Sequence, residues 1–239
     1  MKLIVYTALF GDIDYLWSAL PGCSDVQHIA FVDELKVERG AWSGNPPRMS
    51  QKAEAGEPTW EQRIVDPKWG SRRTARRCKI LSHHYLQDAD AWIWVDANVR
   101  ARIHPLLLME KYTEELIGQR HWRRKCLYEE AEACVQLEKD SPEMLRAQVE
   151  RYRQDGMPEK WGLCQTQVLI RRNTAAIQRL NRMWWNEIKR GSCRDQVSLP
   201  WVCWKLGMRW DNILGGSPRY GRGDFIHIRR PVEPDTDCD

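Results

Sequence analysis

The chain has 239 residues, of which 42% are hydrophobic and 29% are charged, a balance that excludes a disordered or fibrous chain and predicts a globular one. Its formal net charge of +4 is modest, but the 37 basic residues are mostly Arg, which is the side chain best suited to phosphate and carboxylate groups. No apolar run reaches the roughly 18 residues needed to cross a bilayer, and the opening strand is too short for an export signal, so a cytoplasmic protein without a membrane span is expected.

Eight cysteines are scattered along the chain at positions 23, 78, 126, 134, 164, 193, 203 and 238. None forms a Cys-x-x-Cys pair, which argues against a structural zinc site, and reduced, mostly buried thiols are expected. Thirteen tryptophans are unusually many for this length. Their rings either stack on the apolar faces of sugars or fill a core, and the core role is predicted for any single one.

The first part of the chain predicts strands that end in small or acidic residues. Strands are expected at residues 3–10, ending at Gly11, and at residues 26–33, ending at Asp33. Residues 36–60 contain several Gly and Pro and no sustained periodicity, which predicts a loop or lid insertion with a function. A short strand is expected at residues 62–65.

The rest of the chain alternates helices with strands. A helix capped by Ser71 is predicted over residues 71–87, and Ser141 followed by Pro142 predicts the start of another helix. The further expected elements are helices at residues 129–137, 143–153, 174–189 and 195–206 and strands at residues 91–95, 167–171 and 225–228. This alternation predicts a single α/β domain over residues 1–239, with a mixed, mostly parallel central sheet flanked by helices.

The apolar run at residues 91–95 leads directly into Asp96-Ala97-Asn98. At the carboxyl end of a sheet strand, the side-chain oxygens of Asp96 and Asn98 are well placed to hold a hard divalent cation, Mn²⁺ or Mg²⁺. His227, from the last predicted strand, is the candidate third ligand. The alternative for Asp-x-Asn alone is an Asx-turn after a strand.

Basic residues precede this strand. Arg72, Arg76 and Lys79 recur on one face of the predicted helix and are candidates for binding the diphosphate of a nucleotide-sugar donor. The alternative is a solvated basic helix, which is the prediction for Arg73 and Arg77.

Candidate donor contacts also follow the first two strands. Thr7, Ala8 and Gly11 are small residues that would let a nucleotide approach the backbone closely. Asp33 is a candidate acceptor of hydrogen bonds from ribose hydroxyls or a base. With Asp96, these residues complete the predicted donor site.

Asp195 is the candidate catalytic residue. It is expected in the first turn of a helix, with Ser192 as a candidate cap, where the helix dipole favours an ionised carboxylate. Such a carboxylate could deprotonate an acceptor hydroxyl or stabilise an oxocarbenium-like centre, and the alternative is an ordinary helix charge. The candidate acceptor contacts are His121, Glu129 or its neighbour Glu130, Gln165 and Thr166.

Several segments, taken in order, resemble the glycosyltransferase-like domain of plant TOD/MUCI-type proteins and their bacterial and viral relatives. The matching segments are Tyr6–Asp14, Arg76–His83, Trp92–Asn98, His121, Cys126–Ala131, Gly162–Leu163, Val168–Arg171, Trp184–Trp185 and Ser192–Ser198. The resemblance implies a GT-A fold: a Rossmann-like nucleotide-binding sheet, a metal-binding Asp motif, and donor and acceptor in one cleft.

The chain departs from that pattern in two places. Asp-x-Asn stands where many GT-A enzymes have Asp-x-Asp, which removes one negative charge from the metal site. Residues 34–60 have no counterpart in the resemblance. The ligand role of His227 is implied only by a looser similarity to glycogenin-like enzymes.

Together these features predict a metal-dependent glycosyltransferase, for hexosyl or pentosyl units. It would use a nucleoside-diphosphate sugar, expected to be a UDP-sugar, and an acceptor that is a glycan or a modified nucleic acid. The main alternative is an Arg-rich nucleic-acid-binding module without catalysis, formed by residues 72–79, 120–125 and 229–230. A nucleotidyltransferase is a third hypothesis, although residues after Phe10 lack the Gly-rich basic loop typical of that class.

Overall fold

The computed structural model describes residues 1–11, 15–19, 23–36, 38–39, 42–43, 48–49, 60–213 and 223–228. The strands are β1 (Leu3–Leu9), β2 (Leu16–Trp17), β3 (Gln27–Val32), β4 (Glu38–Arg39), β5 (Trp42–Ser43), β6 (Arg48–Met49), β7 (Glu61–Ile64), β8 (Ala91–Val95), β9 (Val99–Ala101), β10 (Leu116–Arg120), β11 (Cys164–Arg172), β12 (Asp211–Asn212) and β13 (Phe225–His227). The helices are α1 (Ser71–Ile80), α2 (Ser82–Tyr85), α3 (Pro105–Lys111), α4 (Leu127–Gln136), α5 (Pro142–Gln154), α6 (Ala175–Arg190) and α7 (Asp195–Lys205).

A seven-stranded sheet in the order β12-β10-β11-β8-β1-β3-β7 organises the protein. The pairs β1–β3, β1–β8 and β3–β7 are parallel, whereas β11 runs antiparallel to both β8 and β10. The predicted α/β class with a mixed, mostly parallel sheet is therefore confirmed. Because β11 runs the opposite way, its first residues lie at the same edge as the last residues of β1, β3 and β8.

Alternation along β8 divides the core between the two faces of the sheet. Trp92 and Trp94 belong to the larger cluster, which also contains buried residues of α1, α4, α5, α6 and α7. Ile93 and Val95 belong to the second cluster, which contains Leu108 and Met109 of α3. All five residues of β8 are buried, as expected for a central strand covered on both faces.

Helix starts follow the sequence only in part. Ser141 caps α5 by accepting a hydrogen bond from the Met144 amide, at 3.3 Å, with Pro142 as the first helical residue, as predicted. The predicted cap at Ser71 is wrong, because Gly70 occupies that position with φ 76° and Ser71 is already helical. The predicted helix over residues 71–87 is also interrupted at Leu81, where the backbone leaves helical geometry.

The structure shows where the cysteines and tryptophans lie and whether any helix could span a membrane. The cysteines of the described residues are free and buried, as predicted, and Cys238 lies outside the described residues. Trp92, Trp94 and Trp184 are fully buried core residues, whereas Trp69 and Trp122 are exposed. No helix within the described residues is both long and apolar enough to cross a bilayer.

The predicted loop or lid at residues 36–60 lies largely outside the described residues. Its described parts include the two-residue strands β4, β5 and β6.

Both α3 and β10 were missed by the sequence prediction. β10 carries the pattern Leu-Ile-Gly-Gln-Arg, in which a glycine and two polar residues mask the strand signal.

Gly118 in β10 leaves room for two buried side chains. A Cβ atom at this position would overlap Cys164 Sγ and lie 3.3 Å from Leu169 Cδ2. We expect Gly118→Ala to lower the free energy of unfolding by about 1–3 kcal/mol, because the packed neighbours must shift. Urea unfolding measures this change, and Cys164→Ala in the same background should restore part of it. Full stability of the single variant would contradict the packing described.

Candidate functional site

Asp96 lies at the carboxyl end of β8 and is fixed from several sides. Its backbone amide donates to the Gln167 carbonyl at 2.8 Å, and its Oδ1 accepts from Trp94 Nε1 at 2.9 Å. Lys79 Nζ is 3.6 Å from the same oxygen, and the Asp96 side chain is 32% exposed. The carboxylate is thus held by the protein while facing solvent.

Asn98 follows in a tight turn. The Val99 amide donates to the Asp96 carbonyl at 2.8 Å, so a backbone hydrogen bond closes the turn. Among the described residues, the buried Asn98 Oδ1 has no hydrogen-bond partner. An orphaned buried amide oxygen is costly unless a ligand satisfies it.

His227 reaches this region through strand pairing. β13 runs antiparallel to β9 with His227 opposite Val99, and the Ile228 amide donates to the Asn98 carbonyl at 2.7 Å. The fold therefore brings the backbone segments that carry the three candidate metal ligands next to one another. In the described part of the chain, no three His, Cys, Asp or Glu side chains converge on a point, and the candidate set is a carboxylate, an amide and an imidazole.

A buried ion cluster lies beside Asp96. Lys79 is only 1% exposed, and its ammonium is 2.6 Å from Asp195 Oδ2 and 5.1 Å from the centre of the Trp94 ring. Arg76 Nε is 3.3 Å from Asp195 Oδ1, and Thr166 Oγ1 donates to Asp195 Oδ2 at 2.9 Å. These contacts satisfy a carboxylate that would otherwise be very unfavourable to bury.

The cluster sets the protonation state of Asp195. Burial alone would raise the pKa of this carboxyl, but Arg76 and Lys79 outweigh burial and hold the pKa well below its usual range. A carboxylate with such a low pKa binds a proton weakly, which makes it a poor general base. Of the two chemical roles predicted for Asp195, the geometry favours electrostatic stabilisation.

The basic residues of α1 divide into three groups. Arg72 is exposed and donates to the Lys139 carbonyl at 2.6 Å, whereas Arg76 and Lys79 turn toward Asp195. The prediction that Arg73 and Arg77 are simply solvated is wrong. The Arg73 guanidinium donates to the carbonyls of Ile188 and Gly191, and the Arg77 guanidinium donates to the Tyr85 hydroxyl.

Two cavities meet at Arg76 and Asp96. The cavity on the side of the first strand, here the β1 cavity, is open to solvent and comprises about 780 Å³. Its lining residues are Ala8, Leu9, Phe10, Ser71, Arg72, Ala75, Arg76, Trp94, Asp96, Ala97 and Asn98. The second, here the α4 cavity, is open to solvent and comprises about 1070 Å³ between the start of β11, α4 and the start of α7. Both Lys79 and Asp195 line the α4 cavity.

The predicted donor residues are placed differently from one another. Ala8 lines the β1 cavity, but Thr7 is fully buried in β1 and is not among its lining residues. Gly11 and Asp33 contact each other, since the Gly11 amide donates to Asp33 Oδ2 at 2.6 Å, and Asp33 also pairs with Lys36 at 3.0 Å. These two residues fix the end of β1 instead of lining the cavity.

The predicted acceptor residues mostly come together. His121, Gln165 and Thr166 line the α4 cavity, as does the alternative residue Glu130. Glu129 is exposed and accepts a hydrogen bond from the Lys125 amide at 2.8 Å, outside the lining. His121 Nδ1 accepts hydrogen bonds from the amides of residues 123 and 124, so it also shapes the loop before α4.

Sequence reasoning did not assign six residues that line these cavities to the site, and these are Trp94, Trp122, Arg123, Arg124, Lys139 and Arg194. Trp94 and Arg194 are near neighbours of Asp96 and Asp195, and that adjacency was the available signal. Arg124 is paired with the buried Glu130, with Nε to Oε2 at 2.5 Å. The role of Ser192 as a helix cap is wrong, because Arg194 is the cap position and the Ser192 hydroxyl donates to Asp140 at 2.6 Å.

The chain is similar to a known protein family and to one curated plant protein. The family model described as "TOD1/MUCI70, glycosyltransferase-like domain" matches residues 1–214. A protein of Arabidopsis thaliana named "Probable hexosyltransferase MUCI70" is 25% identical over 198 residues, which cover 75% of this chain and 32% of that protein. The chain thus spans about a third of the length of this curated relative.

Proposed function

This chain belongs to the TOD1/MUCI70 glycosyltransferase-like family, and we propose that it transfers a sugar from a nucleoside-diphosphate sugar to an acceptor hydroxyl. The similarity to a protein named as a probable hexosyltransferase favours a hexosyl donor. The bond between the anomeric carbon and the diphosphate breaks, and the acceptor oxygen forms a new bond to that carbon. The hydroxyl proton passes to the released diphosphate or to solvent.

The meeting of two cavities at Arg76 and Asp96 is the observation that carries this proposal. A transferase must hold two substrates with the reacting atoms in contact, and cavities that share a polar boundary supply that arrangement. We assign the β1 cavity to the donor and the α4 cavity to the acceptor. The small side chain of Ala8 leaves room for a diphosphate at the end of the first strand, and Arg72 supplies positive charge there.

Asp96, Asn98 and His227 would hold Mn²⁺ or Mg²⁺. The fit rests on the orphaned Asn98 Oδ1 and on the partly exposed Asp96 carboxylate, since oxygen atoms are the ligands that these cations prefer. When bound, the cation would supply positive charge to the diphosphate as it leaves. Arg76 and Arg72 add fixed charge on the same side.

Lys79 differs from its predicted role. Its ammonium is buried against Asp195 and Asp96, so we propose that it acts on the diphosphate only through these two carboxylates. Asp195 remains ionised near the boundary of the two cavities, where it would stabilise positive charge that develops on the sugar.

Restoring the missing charge of the metal site tests the cation directly. We expect Asn98→Asp to tighten Mn²⁺ binding about tenfold, because an added carboxylate raises the charge of the ligand set. Asn98→Ala is the matched control and should weaken binding, since it removes the oxygen. Isothermal titration with MnCl₂ alone measures both. Identical affinity in the wild type and both variants would contradict this site.

The nucleic-acid-binding alternative gains little from the geometry. Arg73, Arg76, Arg77 and Arg124 are engaged with protein groups, so much of the basic set serves the fold and the candidate site. Arg229 and Arg230 lie outside the described residues.

A further inference from the structure

The α4 cavity carries an excess of positive charge. Its lining includes the basic residues Arg76, Lys79, Arg123, Arg124, Lys139 and Arg194 but only the acidic residues Asp96, Glu130 and Asp195. Asp195 is paired with Arg76 and Lys79, and Glu130 with Arg124 and, at 4.0 Å, with Arg194. Within the described residues, Arg123 and Lys139 are exposed and have no ion-pair partner.

The same cavity has a surface suited to a sugar ring. Trp122 is 47% exposed, lines the cavity and stacks on His121 with the ring planes 15° apart. An exposed, oriented aromatic ring offers a flat apolar face to the C–H groups of a sugar.

Gln165 provides an independent sign of a ligand. The residue is 6% exposed and lines the cavity, and its buried Oε1 has no hydrogen-bond partner among the described residues. Its Nε2 donates to Gln167, so the unsatisfied oxygen is the group left to accept a hydrogen bond. A sugar hydroxyl is a donor of the right kind.

The positive charge is local. Glu129, Glu132 and Glu138 are exposed on and just after α4, the helix that forms one wall of the cavity. These carboxylates would repel a long polyanion that continued along α4, whereas a single anionic group that ends inside the cavity does not run along that helix. The pattern therefore favours one charged sugar unit over a nucleic-acid strand.

Resting on the proposed function, we infer that the acceptor is a saccharide whose bound unit carries a carboxylate. The sugar ring stacks on Trp122, a hydroxyl donates to Gln165, and the carboxylate is recognised by Arg123 and Lys139. These four residues then decide acceptor specificity.

A matched pair of probes tests the inference: methyl β-D-glucuronide and methyl β-D-glucoside, which differ only at C6, a carboxylate in the first and a hydroxymethyl group in the second. We expect the glucuronide to bind on the order of tenfold more tightly at low salt, as hydrogen bonds to a charged group allow. The preference should vanish in the Arg123→Gln/Lys139→Gln double variant, and Trp122→Ala should weaken both probes. NMR titration measures the binding, and Arg179→Gln, an exposed substitution on α6, is the control that should change nothing.

Equal affinity for the two probes, no binding of either, or a preference that survives the double variant would overturn the inference. Salt-dependent binding of a single-stranded oligonucleotide that displaces the glucuronide would overturn it in favour of a nucleic-acid acceptor. Hydrolysis of UDP-hexoses by the wild type is assayed separately. Absence of hydrolysis together with an intact glucuronide preference would count against the proposed transfer and leave the anion site standing.

Discussion

Replacing Asp96 by alanine is expected to lower the rate of sugar transfer by about 10²–10³-fold, the usual effect of removing one preorganised electrostatic contact from a reaction centre. Asp96 lies at the boundary of both cavities and is the only carboxylate shared by their described linings. The fold should survive, because the Asp96 side chain is 32% exposed and the main loss is the acceptor of the Trp94 indole N–H, about 1–3 kcal/mol.

Donor turnover is measured with and without added Mn²⁺, alongside the thermal unfolding midpoint. Asp88→Ala is the matched control, since Asp88 is an exposed aspartate that pairs with Lys2 just before β1, at the opposite edge of the sheet. Full turnover by Asp96→Ala in the presence of a chelator would contradict both the proposed metal site and the proposed role of this carboxylate.

Replacing Lys79 by methionine is expected to lower the free energy of unfolding by about 3–5 kcal/mol, the usual effect of leaving one partner of a buried ion pair without its counterion. Asp195 is 2% exposed and would keep Arg76 and Arg194 as cationic neighbours. The pKa of Asp195 should therefore rise in the variant, because burial would be less well opposed.

The pH dependence of stability distinguishes this explanation from simple loss of packing. In the wild type, the folded pKa of Asp195 is below its unfolded value, so its contribution is present above the unfolded pKa and is lost as the pH falls below about 4. In Lys79→Met that acid-side loss should shrink. If the folded pKa of Asp195 rises above the unfolded value, stability will instead decrease as the pH increases from the unfolded pKa through the folded pKa.

Urea unfolding between pH 3 and pH 7 measures both curves. The double variant Lys79→Met/Asp195→Asn is the control, and it should recover part of the lost stability because it removes the uncompensated charge. Parallel pH curves for the wild type and Lys79→Met would show that Lys79 does not hold the charge of Asp195.

The sequence alone determined the elements with strong local patterns. The apolar run of β8 and the amphipathic α6 are buried as their hydrophobic spacing predicts. The start of α5 is predicted by local capping chemistry at Ser141. Asp96 and Asn98 were predicted because the order of residues alone shows a strand that ends in oxygen-bearing side chains. The ordered resemblance across the chain added the family, which the match over residues 1–214 confirmed.

The contacts of each charged residue depend on how the whole chain packs. Lys79 and Arg72 lie on the same predicted helix face, yet Lys79 is buried against Asp195 and Arg72 is exposed, because the buried residues of α1 lie mostly in its last turn. The antiparallel β11 likewise brings Gln165 and Thr166 beside Asp96, a juxtaposition that strand direction alone determines. Burial and opposite charge then fix the ionisation of Asp195, and both depend on neighbours more than 100 positions away in the chain, which no local pattern encodes.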